Sequence, residues 1–154
     1  MKASEIMTSN PHTCHPQDRV CDAVKIMKDF DCGSVPIVDG SGGVKLVGII
    51  TDRDIALKMC EQEKTCREIS IESCMSKPVY FCHTDDNIQK VEHMMREHQL
   101  HRIPVLDQNE TLQGMIALAD LAREVNKEKQ EGAHEISEEE VAEIVEDISK
   151  PCHA

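Results

Sequence analysis

Apolar residues follow two alternating patterns along this chain, one with helical spacing and one of short unbroken runs. Near the start of the chain, apolar residues recur three or four positions apart, and this spacing predicts an amphipathic helix. Asp18 could cap that helix. The apolar positions of this helix are Val20, Ala23, Val24, Met27 and Phe30. Two short apolar runs follow, at 35–38 and 46–50, and predict two strands joined by a turn. A second helix is predicted to begin near Asp52.

The same succession of patterns occurs a second time. Met7-Thr8 recurs as Met75-Ser76, and Val35-Pro36 recurs as Ile103-Pro104, in both cases 68 positions later. From Gly48, which recurs as Gly114, the offset is 66. The two missing positions fall opposite a glycine-rich turn at 40–43, where a hairpin tolerates a change of length.

The second copy predicts the same elements as the first. Its helix, which Asp86 could cap, has apolar residues at Ile88, Val91 and Met95. Its strands are predicted at 103–106 and 112–116, and its second helix near Leu118. A unit this small is marginally stable alone, so we expect the copies to pack face to face with a cleft between them.

These patterns divide the chain into repeat 1 (1–64), repeat 2 (65–126) and a C-terminal segment (127–154). Residues 127–136 are polar and predict a linker. Ser137 and Glu140 then have capping-box spacing at the start of a terminal amphipathic helix that ends before Pro151. Its apolar stripe is Val141, Ile144, Val145 and Ile148. The helix could brace its own domain or form a dimer contact.

The composition narrows the choice of partners. With 17 basic and 29 acidic residues the net charge is −12, which argues against nucleic acid and anionic membranes as partners but allows a phosphate at a local cluster. No apolar run is long enough for a signal peptide or a membrane span. We therefore expect a cytoplasmic protein whose eight cysteines are reduced thiols.

The segment 48–54 ends a strand and begins a helix, where free N–H groups favour an anion. Gly48 allows close approach of the backbone, and Thr51 could cap the helix and donate its hydroxyl to a phosphate. Arg53 could add a charged hydrogen bond, and Asp54 could accept ribose hydroxyls. Alternatively, Thr51 and Asp54 only stabilise the helix start and nothing binds there.

The second copy differs at these positions in a complementary way. It retains the carboxylate as Asp120, but Ala117 and Ala119 replace the threonine and arginine. It has a basic pair, His101 and Arg102, where the first copy has Gly33-Ser34. If the copies face each other, residues of both could form one well-equipped anion site. Alternatively, the basic pair only caps the preceding helix.

Together these motifs resemble a tandem pair of CBS domains (cystathionine β-synthase domains), known as a Bateman module, over residues 1–125. Small stand-alone bacterial proteins of this type are the most similar. The segments that carry the resemblance are Glu5-Ile6-Met7-Thr8, Val35-Pro36-Ile37-Val38-Asp39, Gly48-Ile49-Ile50-Thr51-Asp52-Arg53-Asp54 and His101-Arg102-Ile103-Pro104-Val105.

The resemblance implies an α/β (α+β) fold of two βαββα repeats related by a pseudo-twofold axis, which here precede the C-terminal helix. It implies a non-catalytic sensor that binds AMP, ADP or ATP, or S-adenosylmethionine or NAD, and that forms a homodimer and regulates a protein partner. Asp54 would take the ribose, while Thr51, His101 and Arg102 would take phosphates. Adenine would lie against the backbone near Thr13-Cys14 and Phe81-Cys82. The acidic charge suggests that ATP needs Mg²⁺.

Three other functions are weighed against this one. The Cys-His pairs at 14–15, 82–83 and 152–153 raise the hypothesis of a metal- or redox-responsive protein, although zinc spacing is absent. An enzyme is disfavoured because the chain has no Walker A loop, no G-x-S-x-G motif and no H-E-x-x-H motif. The last alternative is a structural dimer with empty clefts.

Overall fold

The computed structural model describes residues 1–40, 42, 44–131 and 137–150, with the backbone alone for 125–131. It has a mixed α/β fold, which confirms the predicted class. The chain forms two compact units, each with its own apolar core. The first-repeat unit comprises Asn10–Val79 and Asn109–Leu112, and the second-repeat unit comprises Met1–Ser9, Tyr80–Gln108 and Gln113–Ala154.

The first-repeat unit is built around an antiparallel hairpin. Its elements are α2 (Val20–Asp29), β2 (Ser34–Asp39), β3 (Lys45–Thr51), α3 (Asp52–Gln62) and a 3₁₀ turn (Ile71–Ser73). Strands β2 and β3 pair from Ser34 opposite Thr51 to Asp39 opposite Lys45. Between them Gly40 and Gly42 have φ of 99° and 107°, as expected for the predicted glycine-rich turn, of which residues 41 and 43 lie outside the described residues. Both strands and both helices form where the apolar pattern predicts them, although two of the apolar positions of the first helix, Val24 and Phe30, are exposed.

The second-repeat unit has the same layout with additional elements. They are α1 (Ala3–Ile6), β1 (Thr8–Ser9), β4 (Cys82–His83), α4 (Ile88–Glu97), β5 (Arg102–Leu106), β6 (Leu112–Ala117), α5 (Leu118–Glu131) and α6 (Glu138–Ile148). The sheet order is β1-β6-β5-β4, and β4 runs parallel to β5. No helix among the described residues is long and apolar enough to cross a membrane.

The leading segments of the two repeats are exchanged between the units. Thr8 pairs with Met115 in the second-repeat unit, and its equivalent Ser76 forms a bridge with Ile49 in the first-repeat unit. The compact units therefore group these segments differently from the sequence repeats, whose boundary between 64 and 65 stays a prediction. The hydrophobic period predicts that a segment is a strand, but it does not say which sheet the strand joins.

The methionines of these leading segments lie over glycines. A Cβ at Gly48 would overlap Met75 Sδ, and a Cβ at Gly114 would overlap Met7 Sδ. Gly114 is further restricted, because its Cβ would also lie 2.9 Å from the carbonyl oxygen of Thr8. The close approach that was predicted for a ligand at Gly48 is made by a side chain of the same unit.

The predicted helix caps Asp18 and Asp86 are wrong, because each carboxylate closes the turn before its helix instead. Asp18 accepts the backbone N–H of His15 at 2.7 Å, and Asp86 accepts that of His83 at 2.8 Å. Helix α2 begins after Arg19, and α4 after Asn87, whose side chain accepts the N–H of Lys90.

Helix α5 continues to Glu131, so residues 127–131 of the predicted linker at 127–136 are helical instead. The sequence from Lys127 to Glu131 contains only lysine, glutamate and glutamine, and these residues favour a helix. Residues 132–136 lie outside the described residues, as does Pro151.

The terminal helix α6 has the predicted capping box. Glu140 N–H donates to Ser137 Oγ at 3.1 Å, and Ser137 N–H donates to Glu140 Oε2 at 2.7 Å. The helix packs against α4 and α5, and Ile144 and Ile148 join the core of the second-repeat unit. Of the two interpretations of this helix, the brace on its own domain is confirmed.

Candidate functional site

The strand-to-helix junction at the start of α3 holds its carboxylate in a fixed position. Asp54 Oδ2 accepts two hydrogen bonds from Thr51, one from the backbone N–H at 2.9 Å and one from the hydroxyl at 2.7 Å. Thr51 Oγ1 in turn accepts the N–H of Asp54 at 3.1 Å. Thr51 is therefore the helix cap, as the sequence predicts.

This reciprocal bonding limits what each group offers to a ligand. The hydroxyl of Thr51 donates to Asp54 here, and its predicted bond to a phosphate stays a prediction. Among the described residues Asp54 Oδ1 has no hydrogen-bond partner, and the carboxyl is half-buried. Arg53 is exposed, and its backbone N–H donates to Asp52 at 2.8 Å. Asp54 is thus an oriented acceptor with one unused oxygen.

The start of α5 repeats this geometry with one difference. Ala117 N–H donates to Asp120 Oδ2 at 2.7 Å, as Thr51 N–H does to Asp54. The other oxygen, Asp120 Oδ1, is bound by the guanidinium of Arg123. Both oxygens of Asp120 therefore have partners, whereas one oxygen of Asp54 has none.

Arg123 is a site residue that sequence reasoning missed. A position-by-position comparison of the repeats places Ala119 opposite Arg53 and Arg123 opposite Leu57. On a helix, however, residues four apart share a face, and long side chains point back towards the N-terminus. Spacing on the helix was therefore the signal that could have found Arg123.

His101 and Arg102 lie at the start of β5 in the second-repeat unit. The carbonyl oxygen of His101 accepts the N–H of Leu118 at 3.0 Å, which ties the strand to the first residue of α5. The equivalent bond, from Asp52 N–H to Gly33 O at 3.1 Å, occurs in the first-repeat unit. The basic pair and Asp54 thus belong to different units, and their joint contribution to one site stays a prediction.

Thr13 and Cys14 lie in the first-repeat unit along the edge of β2. Cys14 N–H donates to Pro36 O at 3.2 Å, and Cys14 O accepts from Val38 N–H at 2.9 Å. The backbone of Cys14 is therefore committed to β2, and its side chain is buried. Thr13 is half-buried and lies next to it in the chain.

A stacked pair of rings flanks the Thr13 segment and recurs in the second copy. His12 stacks on Phe30 at 3.5 Å between ring centroids, and Tyr80 stacks on His98 at 3.7 Å. Both pairs occupy the same repeat positions, with the imidazole and the aromatic ring interchanged. Phe30 and Tyr80 remain exposed although the chain has only two Phe and one Tyr. These flat surfaces beside residues 13 and 81 were missed, although the offset of 68 relates them.

In the part of the chain that the structure describes, no three or more His, Cys, Asp and Glu side chains come together as a group that could hold a metal ion. Burial and then nearby carboxylates raise the pKa of the thiols of Cys14 and Cys82 to about 12, so both stay protonated near neutral pH. Burial and then the charge of Asp54 raise the pKa of Cys74. The third Cys-His pair, at 152–153, lies outside the described residues.

The imidazole rings of the two remaining pairs have different environments. His15 Nδ1 lies 2.9 Å from Val38 O, and since a carbonyl only accepts, Nδ1 carries the proton. In the second copy the carbonyl oxygen equivalent to Val38 O is Leu106 O, and it accepts a hydrogen bond from Thr84 N–H at 2.9 Å. Pro16, at the position of Thr84, has no N–H. His83 Nδ1 is consequently buried without a partner among the described residues.

Comparisons with known proteins agree with this architecture. The chain is 37% identical over 121 residues to the uncharacterized protein YlbB of Bacillus subtilis, covering 79% of this chain and 80% of YlbB. The CBS domain pair of protein MJ0100, solved with 5′-methylthioadenosine and S-adenosyl-L-methionine, has a TM-score of 0.70 and 31% identity. That match covers 80% of this chain and 98% of the MJ0100 pair.

A further structural neighbour is Hypoxic Response Protein I, solved with two coordinated zinc ions. Its TM-score is 0.72 at 27% identity, covering 80% of this chain and 98% of the neighbour. The CBS-domain family model matches residues 3–61 and 67–127. These matches cover most of the chain and include both repeats, so the chain belongs to the CBS-domain family and contains a tandem CBS pair.

Proposed function

We propose that this protein is a non-catalytic regulatory module that binds an adenosyl ligand, with Asp54 as the acceptor for the ribose. The observation that carries the proposal is the unengaged Oδ1 of a half-buried carboxylate that Thr51 holds in place. A ribose has two neighbouring hydroxyls that can donate to such an oxygen, and hydrogen bonds to a charged acceptor are the strong ones. The adenosyl ligands of the MJ0100 pair support the same class.

Within this class we propose an adenine nucleotide, AMP, ADP or ATP. The adenine would lie near Thr13 and Cys14, and Arg53, His101 and Arg102 would bind the phosphates. The exposed ring of Phe30 offers an additional flat surface beside residue 13. Because the net charge is −12, ATP is expected to bind more tightly with Mg²⁺.

The two copies are expected to bind with different strength. At Asp54 one carboxylate oxygen is available, whereas at Asp120 a ligand must displace Arg123. Position 51 has a threonine, and its equivalent is Ala117. We therefore propose one strong site, which uses Asp54, and a second site that is weak or empty.

The proposed mechanism is a shift of population between conformations. A ligand that binds one arrangement of the module more tightly raises the fraction of that arrangement, and a protein partner then reads the change. We propose that the module acts in the cytoplasm as a homodimer. Nothing in this mechanism needs bond breaking, and the raised pKa values of Cys14, Cys74 and Cys82 make these thiols poor nucleophiles.

Thermal unfolding and calorimetry with a panel of ligands test this function. The panel is AMP, ADP, ATP with and without Mg²⁺, S-adenosylmethionine, 5′-methylthioadenosine and NAD, with guanosine monophosphate as the matched control. A ligand at 100 times its dissociation constant stabilises the folded state by about 2.7 kcal/mol, which should raise the melting temperature by several degrees. If no adenosyl compound raises it, the structural dimer with empty clefts replaces the proposal. Stoichiometric zinc in the purified protein would favour the metal-responsive alternative.

A further inference from the structure

The buried carboxyl of Glu92, on α4, has no role in the proposed ligand site. The residue lies in the second-repeat unit and is only 7% exposed. Its equivalent in the first copy is Val24, which is 38% exposed. The chain thus has an acid where the position is covered and an apolar residue where it is open, the reverse of ordinary core packing. The cover in the second-repeat unit is α6.

Glu92 lines a small groove of about 150 Å³ between α4 and α6. The lining residues are Gln89, Glu92, His93, Arg96, Glu140 and Ile144. Glu92 Oε1 is buried and has no hydrogen-bond partner among the described residues. An ionised carboxylate in this environment is costly, because its buried oxygen Oε1 has no donor to compensate the charge.

The charged groups around this groove do not neutralise Glu92. Arg96 is on the same helix, but its Nε donates to Asp147 at 2.6 Å and its Nη1 donates to Glu143 at 3.1 Å, both on α6. From α6, Glu140 adds a second carboxylate to the groove wall. His93 is exposed and lies 3.5 Å from Glu97.

These surroundings raise the pKa of Glu92 from 4.5 to about 7. The main cause is burial, the charge of Glu140 adds to it, and the charge of Arg96 opposes it. The proton is therefore bound more tightly when α6 covers Glu92 than when the side chain is in water.

We propose that the docking of α6 on α4 is proton-sensitive: α6 packs on a neutral Glu92 carboxyl, and ionisation of that carboxyl weakens the contact. The sign follows from proton linkage. The covered form holds the proton more tightly, so docking is strongest at low pH and weakens as pH rises towards and through 7. With values of 4.5 for uncovered and about 7 for covered Glu92, the docking equilibrium falls about tenfold between pH 6 and pH 8.

The arrangement gives the module a response to pH that is independent of any nucleotide. Release of α6 uncovers Ile144 and Ile148 on the helix and the apolar face beneath them, which together form a surface that a partner could bind. The response spans pH 4.5 to about 7, because burial under α6 raises the pKa of the Glu92 carboxyl towards neutrality.

The test measures hydrogen exchange of the α6 amides at pH 6 and pH 8, with each rate corrected for its intrinsic pH dependence. In the wild type, protection of residues 141–148 should fall about tenfold from pH 6 to pH 8. Glu92→Gln, which keeps the shape and removes the charge, should hold high protection at both values. Glu97→Gln, an exposed acid on the same helix, should behave as the wild type. His93→Gln should retain most of the pH effect.

A second measurement does not depend on any variant. The carboxyl carbon of Glu92, followed by NMR during a titration of the wild type, should show a midpoint near 7. A midpoint near 4.5 would overturn the proposal, and so would a wild-type pH effect that persists unchanged in Glu92→Gln. If Glu92→Gln fails to fold, the wild-type titration decides alone.

Discussion

Replacing Asp54 by asparagine separates the two roles of this carboxylate. Its Oδ2 accepts two hydrogen bonds from Thr51, at 2.9 and 2.7 Å, and its charge lies in the first turn of α3. Asparagine keeps one acceptor oxygen but loses the charge, so the free energy of unfolding should fall by about 1–2 kcal/mol. The ribose loses a charged acceptor worth about 1.5–3 kcal/mol, so affinity should fall about 10- to 150-fold.

Asp120→Asn is the matched control for this substitution. It also removes the charge of a carboxylate at a helix start, one that accepts the N–H of Ala117 at 2.7 Å just before α5, so its effect on stability should be similar. Since we assign the strong site to Asp54, the control should change affinity by less than about threefold, within the range of an exposed ion pair. Stability is measured by urea unfolding without ligand, and affinity by calorimetry with the strongest compound of the panel.

The opposite pattern would refute the reasoning. If Asp54→Asn binds with the wild-type dissociation constant while Asp120→Asn does not, the strong site lies in the other copy. If neither substitution changes affinity in a protein that binds, the ribose has another acceptor. Equal losses in both variants would mean that the copies are equivalent and that Arg123 does not weaken its site.

Three further outcomes are expected. Gly114→Ala should destabilise the protein more than Gly48→Ala, because a Cβ at position 114 meets a backbone oxygen at 2.9 Å as well as a methionine. Overpacking of this kind costs about 1–3 kcal/mol. Equal urea midpoints for the two variants would contradict the prediction. Arg123→Ala should change the free energy of unfolding by no more than about 1 kcal/mol, because this arginine is largely exposed. The same variant should tighten any weak second binding step in calorimetry. An unchanged second step would argue against competition between Arg123 and the ligand for Asp120. With a thiol reagent at pH 8, exposed Cys60 should react at once and Cys14 only on unfolding, and mass mapping of early adducts on Cys14 would contradict its burial and raised pKa.

The helices and hairpins could be predicted because each has a clear apolar period and a polar turn. The caps at Thr51 and Ser137 could also be predicted, because a cap depends on residues only three positions apart. Asp18 and Asp86 are also of a residue type that can cap a helix, and each lies near a helix start, yet they close the preceding turns. Local sequence names the residues able to cap, but the backbone path decides which of them does.

The features that could not be predicted all depend on contacts between distant segments. Nothing in the pattern of apolar and polar residues at positions 1–9 indicates that this segment joins the sheet of the second repeat. Glu92 has the polarity of a surface residue, yet it is buried on α4, the helix on which α6 packs. Arg123 was missed because the repeats were compared by position and not by helix face.

The exchange of leading segments has a consequence for any attempt to divide this protein. Expressing residues 1–64 alone would supply a strand with no sheet to join and a hairpin without its outer neighbour, Ser76. Damage to the first nine residues would likewise open the sheet edge at Met115 and leave the hairpin of the first repeat intact. A substitution or deletion at the amino terminus therefore destabilises the sheet of the second repeat. The two halves cannot be separated into independent domains, although their sequences look like independent copies.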